Sequence, residues 1–224
     1  MKRVSPDQLP KPPVARAGSQ FVENDRPDLA ALVPLDADAV LDVGCGPGQL
    51  GAELKQRGVA RVVGIELNPR AAELAAGRLD EVITCDIETS ELPFPDGSFD
   101  CIVYGDILEH LVDPWALLRA HRRLLRESGT VIVSMPNIGY WGVIRDLLRG
   151  RWEYTSFGTM DATHLRFGTL RTIRGMCEQA GLRVEAVHTS VPERSKAGLF
   201  NRLTRRRLEH LLVWRYILEA RPAP

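Results

Sequence analysis

The segment from residue 40 to residue 48 constrains the fold more than any other part of the chain. It begins with a strand-like apolar run that contains Asp42 and continues with Gly44, Gly46 and Gly48 at alternate positions, before a helical pattern starts. Glycine is required where the backbone takes a positive φ or where a ligand approaches it closely. The segment therefore predicts a strand, a ligand-binding loop and a helix, in that order.

The spacing of the loop glycines indicates which classes of ligand the loop can bind. The dinucleotide fingerprint is G-x-G-x-x-G, and Gln49 stands where its third glycine would be. A phosphate-binding P-loop ends in Gly-Lys-Ser or Gly-Lys-Thr, which this loop lacks. NAD is therefore disfavoured, while other adenosine cofactors stay open, as does a simple tight turn without a ligand.

Two further acids lie where the next two predicted strands end. Glu66 closes the second strand, 18 residues after Gly48, and Asp86 closes the third. An acid at the end of the second strand of such a sheet binds ribose hydroxyls. A carboxylate at Asp86 can accept a hydrogen bond from an adenine amino group while the adjacent backbone amide contacts a ring nitrogen. We therefore expect an adenosine-containing ligand across the ends of these strands.

Short apolar, β-branched runs alternate with helical patterns along most of the chain. The predicted strands are 39–43, 61–65, 81–85, 99–104, 130–135, 182–187 and 212–219. The predicted helices are 49–57, 69–79, 114–126 and 170–180, with a short Arg-rich helix before the last strand. Alternation of this kind predicts an α/β fold with a doubly wound, mostly parallel sheet and helices on both faces.

The length of 224 residues and the mass of 24.9 kDa fit one large domain. Residues 1–18 hold four prolines and no apolar run, which predicts a flexible arm before a single domain at 19–224. Residues 137–167 interrupt the alternation between the fifth and sixth strands and contain six of the 14 aromatic residues. An aromatic insert at this edge of the sheet is expected to cap a substrate.

Charge and cysteine content exclude several functions. Lys plus Arg and Asp plus Glu both number 29, so the chain lacks the basic excess that binds a nucleic-acid backbone. The four cysteines are scattered without a Cys-x-x-Cys pair, which predicts reduced, mostly buried thiols and no metal site. Because no apolar stretch approaches 18 residues, we expect no stable membrane insertion and a cytoplasmic location. The oligomeric state is left open.

With these features in place, residues 20–220 resemble the class I S-adenosylmethionine-dependent methyltransferases. The motifs that carry the resemblance are LDVGCGPG at 41–48, GIELN at 64–68, CDIE at 85–88, FDCIVYGDILEHLVDP at 99–114 and SMPN at 134–137. The resemblance implies a Rossmann-like, seven-stranded sheet with an antiparallel last strand. It also implies S-adenosyl-L-methionine as the cofactor and S-adenosyl-L-homocysteine as the product.

The same resemblance assigns cofactor contacts to particular positions. It implies that Gly44 and Gly46 flank the methionine part, Glu66 holds the ribose, and Gly105 places a carbonyl near the cofactor's amino group. Arg26 pairs with the cofactor carboxylate or, as the alternative, is a surface residue. The complete set of expected cofactor residues is Arg26, Asp42, Gly44, Cys45, Gly46, Glu66, Leu67, Asp86, Ile87 and Gly105, with Asp86 and Ile87 at the adenine.

The sequence GRWEYTSFGTMDATHLRFGT at 150–169 is similar to small-molecule methyltransferases of bacterial polysaccharide and natural-product pathways. Those proteins usually read HLRFFT, so Gly168 removes a ring and leaves the acceptor open. We expect O- or N-methylation of a small-molecule acceptor, a sugar or secondary metabolite, under the 137–167 insert. The alternatives are a quinone or nucleotide-linked acceptor held by the arginine-rich segment 202–207, and a cofactor-binding scaffold without catalysis.

An alcohol or ammonium acceptor must lose a proton to a base that works near neutral pH, and histidine has that property. His110 follows the fourth strand, and His164 lies in the insert. Asp161 stands three residues before His164, where we expect it to orient the imidazole. Asp106 is a third candidate base or a hydrogen-bonding partner of the cofactor. The alternative for both histidines is a structural role.

The remaining histidines carry weaker signals. His121 lies among arginines in a predicted helix and is expected on a solvated face. His188 and His210 have no neighbouring group of catalytic residues in the sequence. The arginine-rich segment 202–207 is expected to be an exposed helix face, and an anion-binding surface is the alternative.

Overall fold

The computed structural model describes residues 25–190 and 196–223. Its strands are β1 (Ala39–Val43), β2 (Arg61–Glu66), β3 (Glu81–Thr84), β4 (Phe99–Gly105), β5 (Leu125–Pro136), β6 (Leu182–Thr189) and β7 (Arg215–Pro222). They form one seven-stranded sheet in the order β3-β2-β1-β4-β5-β7-β6, in which β7 runs antiparallel to both neighbours. The expected mostly parallel, Rossmann-like sheet is confirmed, and the expected arm at 1–18 lies outside the described residues.

Eight α-helices flank or connect the strands in the described residues. They are α1 (Pro27–Ala30), α2 (Gln49–Gln56), α3 (Pro69–Ala76), α4 (Pro114–His121), α5 (Trp141–Leu148), α6 (Leu170–Gln179), α7 (Lys196–Leu203) and α8 (Glu209–Leu212). Local chemistry sets where some of them begin. At α4 the Asp113 side chain accepts a hydrogen bond from Ala116 N at 2.9 Å, and Pro114 occupies the first turn.

Several predicted elements have different bounds in the structure; the strand predicted over 130–135, for example, covers Leu125–Pro136. The helix predicted over 114–126 ends at His121, because Leu125 already pairs with Phe99 at the beginning of β5. The last strand, predicted over 212–219, begins at Arg215, since Leu212 still belongs to α8.

The arginine-rich segment 202–207 is not the continuous helix that the sequence predicts. α7 ends at Leu203, and Arg205 and Arg206 follow with φ of 51° and 60°. A backbone in this left-handed region cannot continue a right-handed helix. Arg205, Arg206 and Arg207 therefore lie in a turn between two helices, whereas Arg202 lies on α7, so the four arginines do not form one helical face.

The sheet is buried on both sides, so its central strands are apolar almost throughout. Along β4, Ile102 and Tyr104 pack into one apolar core, whereas Cys101 and Val103 pack into the other. Successive side chains of a strand point to opposite faces, which explains the alternation. The carboxyl ends of β1, β2, β3 and β4 consequently meet at one edge between two rigid layers.

His121 is buried, contrary to the prediction of a solvated face. Its Nδ1 lies 3.0 Å from the hydroxyl oxygen of Tyr104, which is itself fully buried at the end of β4. Burial lowers the pKa of His121 to about 4, and the nearby charge of Arg123 adds to this effect. The imidazole is therefore neutral near pH 7 and serves as a hydrogen-bonding member of the core.

The 137–167 insert contains α5 and is tied to the sheet edge at both ends. At its beginning, the Asn137 side chain donates to the carbonyl oxygen of Val213 at 2.7 Å. At its other end, the amides of Leu165 and Arg166 donate to the carbonyl oxygen of Glu109 at 2.8 and 2.9 Å. The insert thus lies against the turn that follows β4, and its function as a substrate cap stays a prediction.

Two expectations about the chain as a whole can be compared with the described residues. All four cysteines are free thiols, and three of them are buried, as predicted. Within residues 25–190 and 196–223, no helix has both the length and the apolar character needed to cross a bilayer.

Candidate active site

The loop between β1 and α2 is shaped by glycines in left-handed conformations. Gly44, Gly46 and Gly48 have φ of 74°, 55° and 85°. The amides of Gly44 and Cys45 donate to the carbonyl oxygen of Ile65 at 2.8 and 3.0 Å, which ties the loop to β2. A Cβ on Gly46 would meet no atom within 4 Å, so this residue faces open space. The loop presents bare backbone to a ligand.

The Glu66 carboxylate holds this loop from the end of β2. Its Oε2 accepts a hydrogen bond from Gly46 N at 2.9 Å, and its Oε1 accepts one from Asn68 N at 2.7 Å. A carboxylate offers about four lone-pair sites, so both oxygens can accept further hydrogen bonds. Leu67, the next residue, is 44% exposed. The position suits a ligand that brings two neighbouring hydroxyl groups.

Asp86 and Ile87 lie just after β3, at the same edge of the sheet. Asp86 begins a turn, because its Oδ1 accepts a hydrogen bond from Glu88 N at 3.0 Å. Ile87 is partly buried against the apolar core. Since β2 and β3 are adjacent and parallel, these two residues lie at the same carboxyl-terminal edge of the sheet as Glu66.

Asp42 is a buried carboxylate on β1. Its Oδ2 has no hydrogen-bond partner among the described residues. Burial raises the pKa of Asp42 to about 7, opposed by the positive charge of Arg26 and reinforced by the negative charge of Glu66. An unpartnered buried carboxylate is unfavourable unless a ligand supplies a donor. Burial also raises the pKa of the Cys45 thiol, so this side chain stays uncharged.

Four charged side chains close the other side of the loop, and we call them the charge ring: Arg26, Asp28, Asp106 and Arg215. Arg26 contacts Asp28 at 3.0 Å and Asp106 at 2.5 Å. Arg215 contacts Asp28 at 2.5 Å and Asp106 at 3.2 Å. Ser134 donates to Asp106 Oδ1 at 2.5 Å and accepts from Arg26 Nη2 at 3.2 Å. Arg26 is thus half-buried in a network and is not a free surface residue.

A cleft of about 360 Å³ lies between the glycine loop and the charge ring. Its lining includes Asp42, Gly44, Cys45, Gly46, Gly105 and the four members of the ring. Helix α1 packs closely against Gly105 in the wall of the cleft, because a Cβ added to Gly105 would lie only 2.9 Å from a methyl carbon of Leu29. Six of the ten expected cofactor residues, including Arg26, therefore line one cleft, and Glu66 reaches it through Gly46.

Beside Asp106, three chemically active side chains form what we call the Glu/His cluster: Glu109, His110 and His164. Nε2 of His164 lies 3.9 Å from Oε1 of Glu109, and the two imidazole centroids are 4.8 Å apart. Burial lowers the pKa of both imidazoles, so they are neutral near pH 7. Burial, together with the negative charge of Asp106, raises the pKa of Glu109 well above its usual value.

Asp161 does not orient His164, contrary to the prediction. Nδ1 of His164 donates to the carbonyl oxygen of Thr159 at 3.2 Å. Asp161 instead accepts a hydrogen bond from the Thr163 hydroxyl at 2.7 Å, and that hydroxyl lies 3.0 Å from Nδ1 of His110. The segment is not helical, so a spacing of three residues does not bring two side chains onto one face.

The other histidines have partners that the sequence did not indicate. Nε2 of His188 forms a hydrogen bond with Glu219 across the β6–β7 pair, and its side chain is 42% exposed. His210 is exposed, and its carbonyl oxygen accepts a hydrogen bond from the Asn137 side chain at 2.8 Å. Neither residue lines the cleft between the loop and the charge ring.

A family model described as a methyltransferase domain matches residues 14–187. The chain belongs to this methyltransferase family. The matched region includes the glycine loop, Glu66, Asp106 and the whole Glu/His cluster.

Individual relatives show how far the likeness extends. Over 113 residues the chain is 34% identical to a 27-O-demethylrifamycin SV methyltransferase of Amycolatopsis mediterranei, covering 47% of this chain and 42% of that protein. Over 153 residues it is 33% identical to a ubiquinone biosynthesis O-methyltransferase of Cereibacter sphaeroides, covering 62% and 61%. The chain thus spans about half the length of the curated relatives it matches.

A crystal structure of an S-adenosylmethionine-dependent methyltransferase from Mesorhizobium loti has the same fold. The superposition covers 87% of this chain and 96% of that one, with a TM-score of 0.63 and 19% identity. At this level of identity the likeness concerns the fold alone.

The residues in the cleft fit an adenosine cofactor that carries an amino acid. Asp42 offers a buried oxygen without a partner, and the space at Gly46 is open. Glu66 accepts from the Gly46 amide beside that space and keeps lone pairs for further donors. The Asp42 oxygen suits an ammonium group or another donor, and the open space at Gly46 suits a part of the ligand that lies close to the backbone. The Glu66 carboxylate suits two ribose hydroxyls.

Proposed function

We propose that this protein transfers a methyl group to an oxygen or nitrogen atom of a small molecule, such as a sugar or a secondary metabolite. The observation that carries the proposal is the cleft in which Asp42, the bare loop at Gly46 and the Glu66 carboxylate converge. The methyl donor is S-adenosyl-L-methionine, whose sulfonium makes the methyl carbon electrophilic. The chain's own part is to bind, to align and to accept a proton.

Each cofactor residue has a distinct task in this proposal. Glu66 accepts the two ribose hydroxyls, while Asp86 and the amide of Ile87 receive the adenine. Gly44 and Gly46 allow close approach of the methionine part, and Gly105 supplies a carbonyl oxygen for its ammonium group. Cys45 and Leu67 shape the walls, and Asp42 supplies its unpartnered oxygen.

Arg26 receives the cofactor carboxylate, and the charge ring supports it. The ring holds two positive and two negative side chains, so an incoming carboxylate must share Arg26 and Arg215 with Asp28 and Asp106. Asp106 is engaged by both arginines and by Ser134. Because both of its oxygens are held by these donors, we assign Asp106 to positioning Arg26 and not to general-base catalysis.

The neutral imidazoles of His164 and His110 accept the acceptor's proton. An in-line displacement requires the nucleophile to be held behind the methyl group, and such alignment supplies much of the rate. A base with a pKa below 7 is unprotonated at neutral pH and ready for this transfer. His164 Nδ1 is occupied by the Thr159 carbonyl, which leaves Nε2 for the proton.

The insert supplies room for the acceptor next to these histidines. A cavity of about 280 Å³ within it is lined by Tyr140, Trp152, Thr159 and Met160, among others. A series of ring contacts joins this cavity to the cluster, since Phe167 lies 5.5 Å from Trp152 and 6.3 Å from His164. An aromatic wall of this kind suits the face of a sugar or of a ring system.

Calorimetric titration with S-adenosylhomocysteine and, separately, with NAD tests the cofactor assignment. We expect micromolar binding of the first and none of the second. Binding of NAD alone would overturn the proposal. An acceptor screen with radiolabelled donor follows, and His164→Ala should lower turnover far more than cofactor affinity. The matched control is His188→Ala, because His188 lies on β6, away from the cleft.

A quinone acceptor is the second candidate. The relative from Cereibacter sphaeroides is named for ubiquinone biosynthesis, and Leu199 and Leu203 expose apolar surface beside the arginine-rich turn. Co-sedimentation with anionic lipid vesicles that weakens in salt would favour this candidate over a sugar. Absence of vesicle binding would favour the water-soluble acceptor.

A further inference from the structure

The Glu/His cluster offers one carboxylate oxygen and two imidazole nitrogens that all lie within 4.8 Å of one another. We infer that Glu109, His110 and His164 bind one divalent cation of the type that prefers imidazole ligands, with Zn²⁺ as the representative. The sequence predicts no metal site, because His164 lies 54 residues after His110 and the spacing resembles no known ligand pattern. The fold alone brings the three side chains together.

Both imidazoles are held in the orientation that metal ligands require. Nδ1 of His164 is bound to the Thr159 carbonyl at 3.2 Å, and Nδ1 of His110 lies 3.0 Å from the Thr163 hydroxyl. That hydroxyl donates its proton to Asp161, so it accepts one from His110. Each ring therefore keeps a lone pair on Nε2. Metal-binding histidines show this same arrangement, with the second nitrogen donating to a carbonyl or another acceptor.

The buried carboxylate of Glu109 is an independent indication of a cation site. Its side chain is 1% exposed, and its Oε2 has no partner among the described residues. A buried carboxylate without a donor is unfavourable, and a cation would compensate for it. The backbone carbonyl of the same residue accepts hydrogen bonds from Leu165 and Arg166. These bonds fix the insert, and with it His164, beside the turn that carries the other two ligands.

The separation of the ligand atoms is close to what one ion needs. Two atoms that bind one ion tetrahedrally at about 2.0–2.1 Å lie about 3.3–3.4 Å apart. The distance between Glu109 Oε1 and His164 Nε2 is 3.9 Å, and the ligand atoms all lie within 4.8 Å of one another, so binding requires the side chains to draw together around the ion. Three protein ligands leave at least one position open, as in catalytic zinc sites. His110 is only partly buried, which gives that position access from the acceptor side.

The function of the ion rests on the proposed methyl transfer, whereas its binding does not. A hydroxyl group bound to a divalent cation loses its proton near neutral pH. The acceptor's O–H bond would break with the proton leaving to water, and the oxygen would then form the new bond to carbon as the carbon–sulfur bond breaks. With the ion bound, the imidazoles hold the metal and water takes the proton; in the metal-free protein the imidazoles take it, as proposed above. The acceptor atom of the metal-bound protein is an oxygen.

Titration of the chelator-treated full chain with Zn²⁺, without donor or acceptor, tests the site. We expect one ion per chain at micromolar or tighter affinity. His164→Ala and His110→Ala should each weaken binding by about 100-fold or more, and Thr163→Val by about 10-fold through loss of the outer hydrogen bond. His210→Ala, an exposed histidine outside the cluster, should leave the affinity unchanged.

Co²⁺ provides a second readout that does not depend on activity. We expect a visible absorption band for the wild type that disappears in Glu109→Gln, with circular dichroism confirming that the variant is folded. If Glu109→Gln does not fold, His164→Gln replaces it in the same comparison. Zinc binding that is absent, or that survives loss of both histidines, overturns the site, as does binding of Mg²⁺ alone. Failure to bind S-adenosylhomocysteine would instead contradict the proposed function and leave this site standing.

Discussion

Arg215, the first residue of β7, donates to Oδ2 of Asp106 at 3.2 Å, although the two residues are 109 positions apart in the sequence. Asp106 follows the end of β4, where φ is 55° and the chain leaves the sheet. The antiparallel last strand therefore supplies a charged group to the cleft that the first four strands build. The site depends on both ends of the described chain.

The charge ring should behave as one energetic unit. Replacing Arg215 by Met leaves Asp28 and Asp106 short of a cation and is expected to destabilise the fold by about 1–3 kcal/mol, since all four side chains are partly buried. In a double-mutant cycle with Asp28→Asn, the two effects should fall short of additivity by at least about 0.5 kcal/mol. Urea denaturation measures both. Arg221→Met, an exposed position on the same strand, is the control. Strict additivity would show that the ring contributes only as separate pairs.

Removing the Glu66 carboxylate should weaken cofactor binding more than stability. The side chain holds the loop amide of Gly46 and, in our proposal, the ribose. Glu66→Ala is expected to lower the affinity for S-adenosylhomocysteine by at least about 100-fold, because charge-assisted hydrogen bonds to two hydroxyls are lost at about 1.5–3 kcal/mol each. Titration calorimetry gives the number, and Glu81→Ala, a partly exposed acid on β3, serves as the comparison. Equal affinities for the two variants would remove Glu66 from the site.

Asp42 should make the free protein less stable as the pH rises. Its pKa is about 7 in the folded state against 3.8 in the unfolded chain, so folding favours the protonated form. Asp42 therefore adds up to about 4 kcal/mol to the free energy of unfolding below pH 4, and this contribution is lost as the pH rises from about 4 to 7. Asp42→Asn should raise the melting temperature at pH 8, with a gain that vanishes near pH 4, and should weaken cofactor binding. A gain that is equal at both pH values would contradict the burial argument. Asp36→Asn, on the exposed surface, should change neither property.

His121 should have the opposite effect on the pH dependence. Its pKa is lowered from 6.5 to about 4 in the folded state, so the unfolded chain takes up a proton that the folded chain refuses. Stability is then lost as the pH falls from about 6.5 to 4, by up to about 3 kcal/mol. His121→Gln is expected to be less stable at pH 7.5 but less sensitive to acid, as measured by urea denaturation at pH 7.5 and 4.5. His210→Gln should retain the wild-type acid sensitivity, and an unchanged slope in His121→Gln would show that another group controls it.

The sequence predicted the fold because its signals are local, while the cofactor residues of the cleft stay a prediction. A strand and a glycine loop follow one another within nine residues at 40–48, directly before a helix, and the loop depends on backbone conformations that only glycine adopts freely. Glu66 and Asp86 are similarly readable, since each directly follows an apolar strand. The Glu66 side chain contacts Gly46 in the loop after the neighbouring strand β1, whereas the Asp86 side chain contacts Glu88 in its own turn. Parallel pairing makes their shared position at one sheet edge predictable.

The features that the sequence did not reveal depend on distant contacts. Arg215 and Asp28 meet only because β7 inserts beside β5, and no local pattern marks either residue. Glu109 and His164 likewise come from two segments that the fold brings together. The burial of His121, by contrast, could have been predicted from the helical spacing of its apolar neighbours. Leu117 and Leu118 precede it at helical spacing and are buried, so the same face carries all three side chains inward.

The place of β7 in the sheet also sets the order in which the molecule can be completed. In the described sheet, β6 pairs with β7 alone, so it has no hydrogen-bonding strand until the last segment inserts between it and β5. During synthesis the amino-terminal part of a chain emerges first, and here it carries the glycine loop and Glu66 well ahead of Arg215. A growing chain therefore displays most of the cleft with one wall missing.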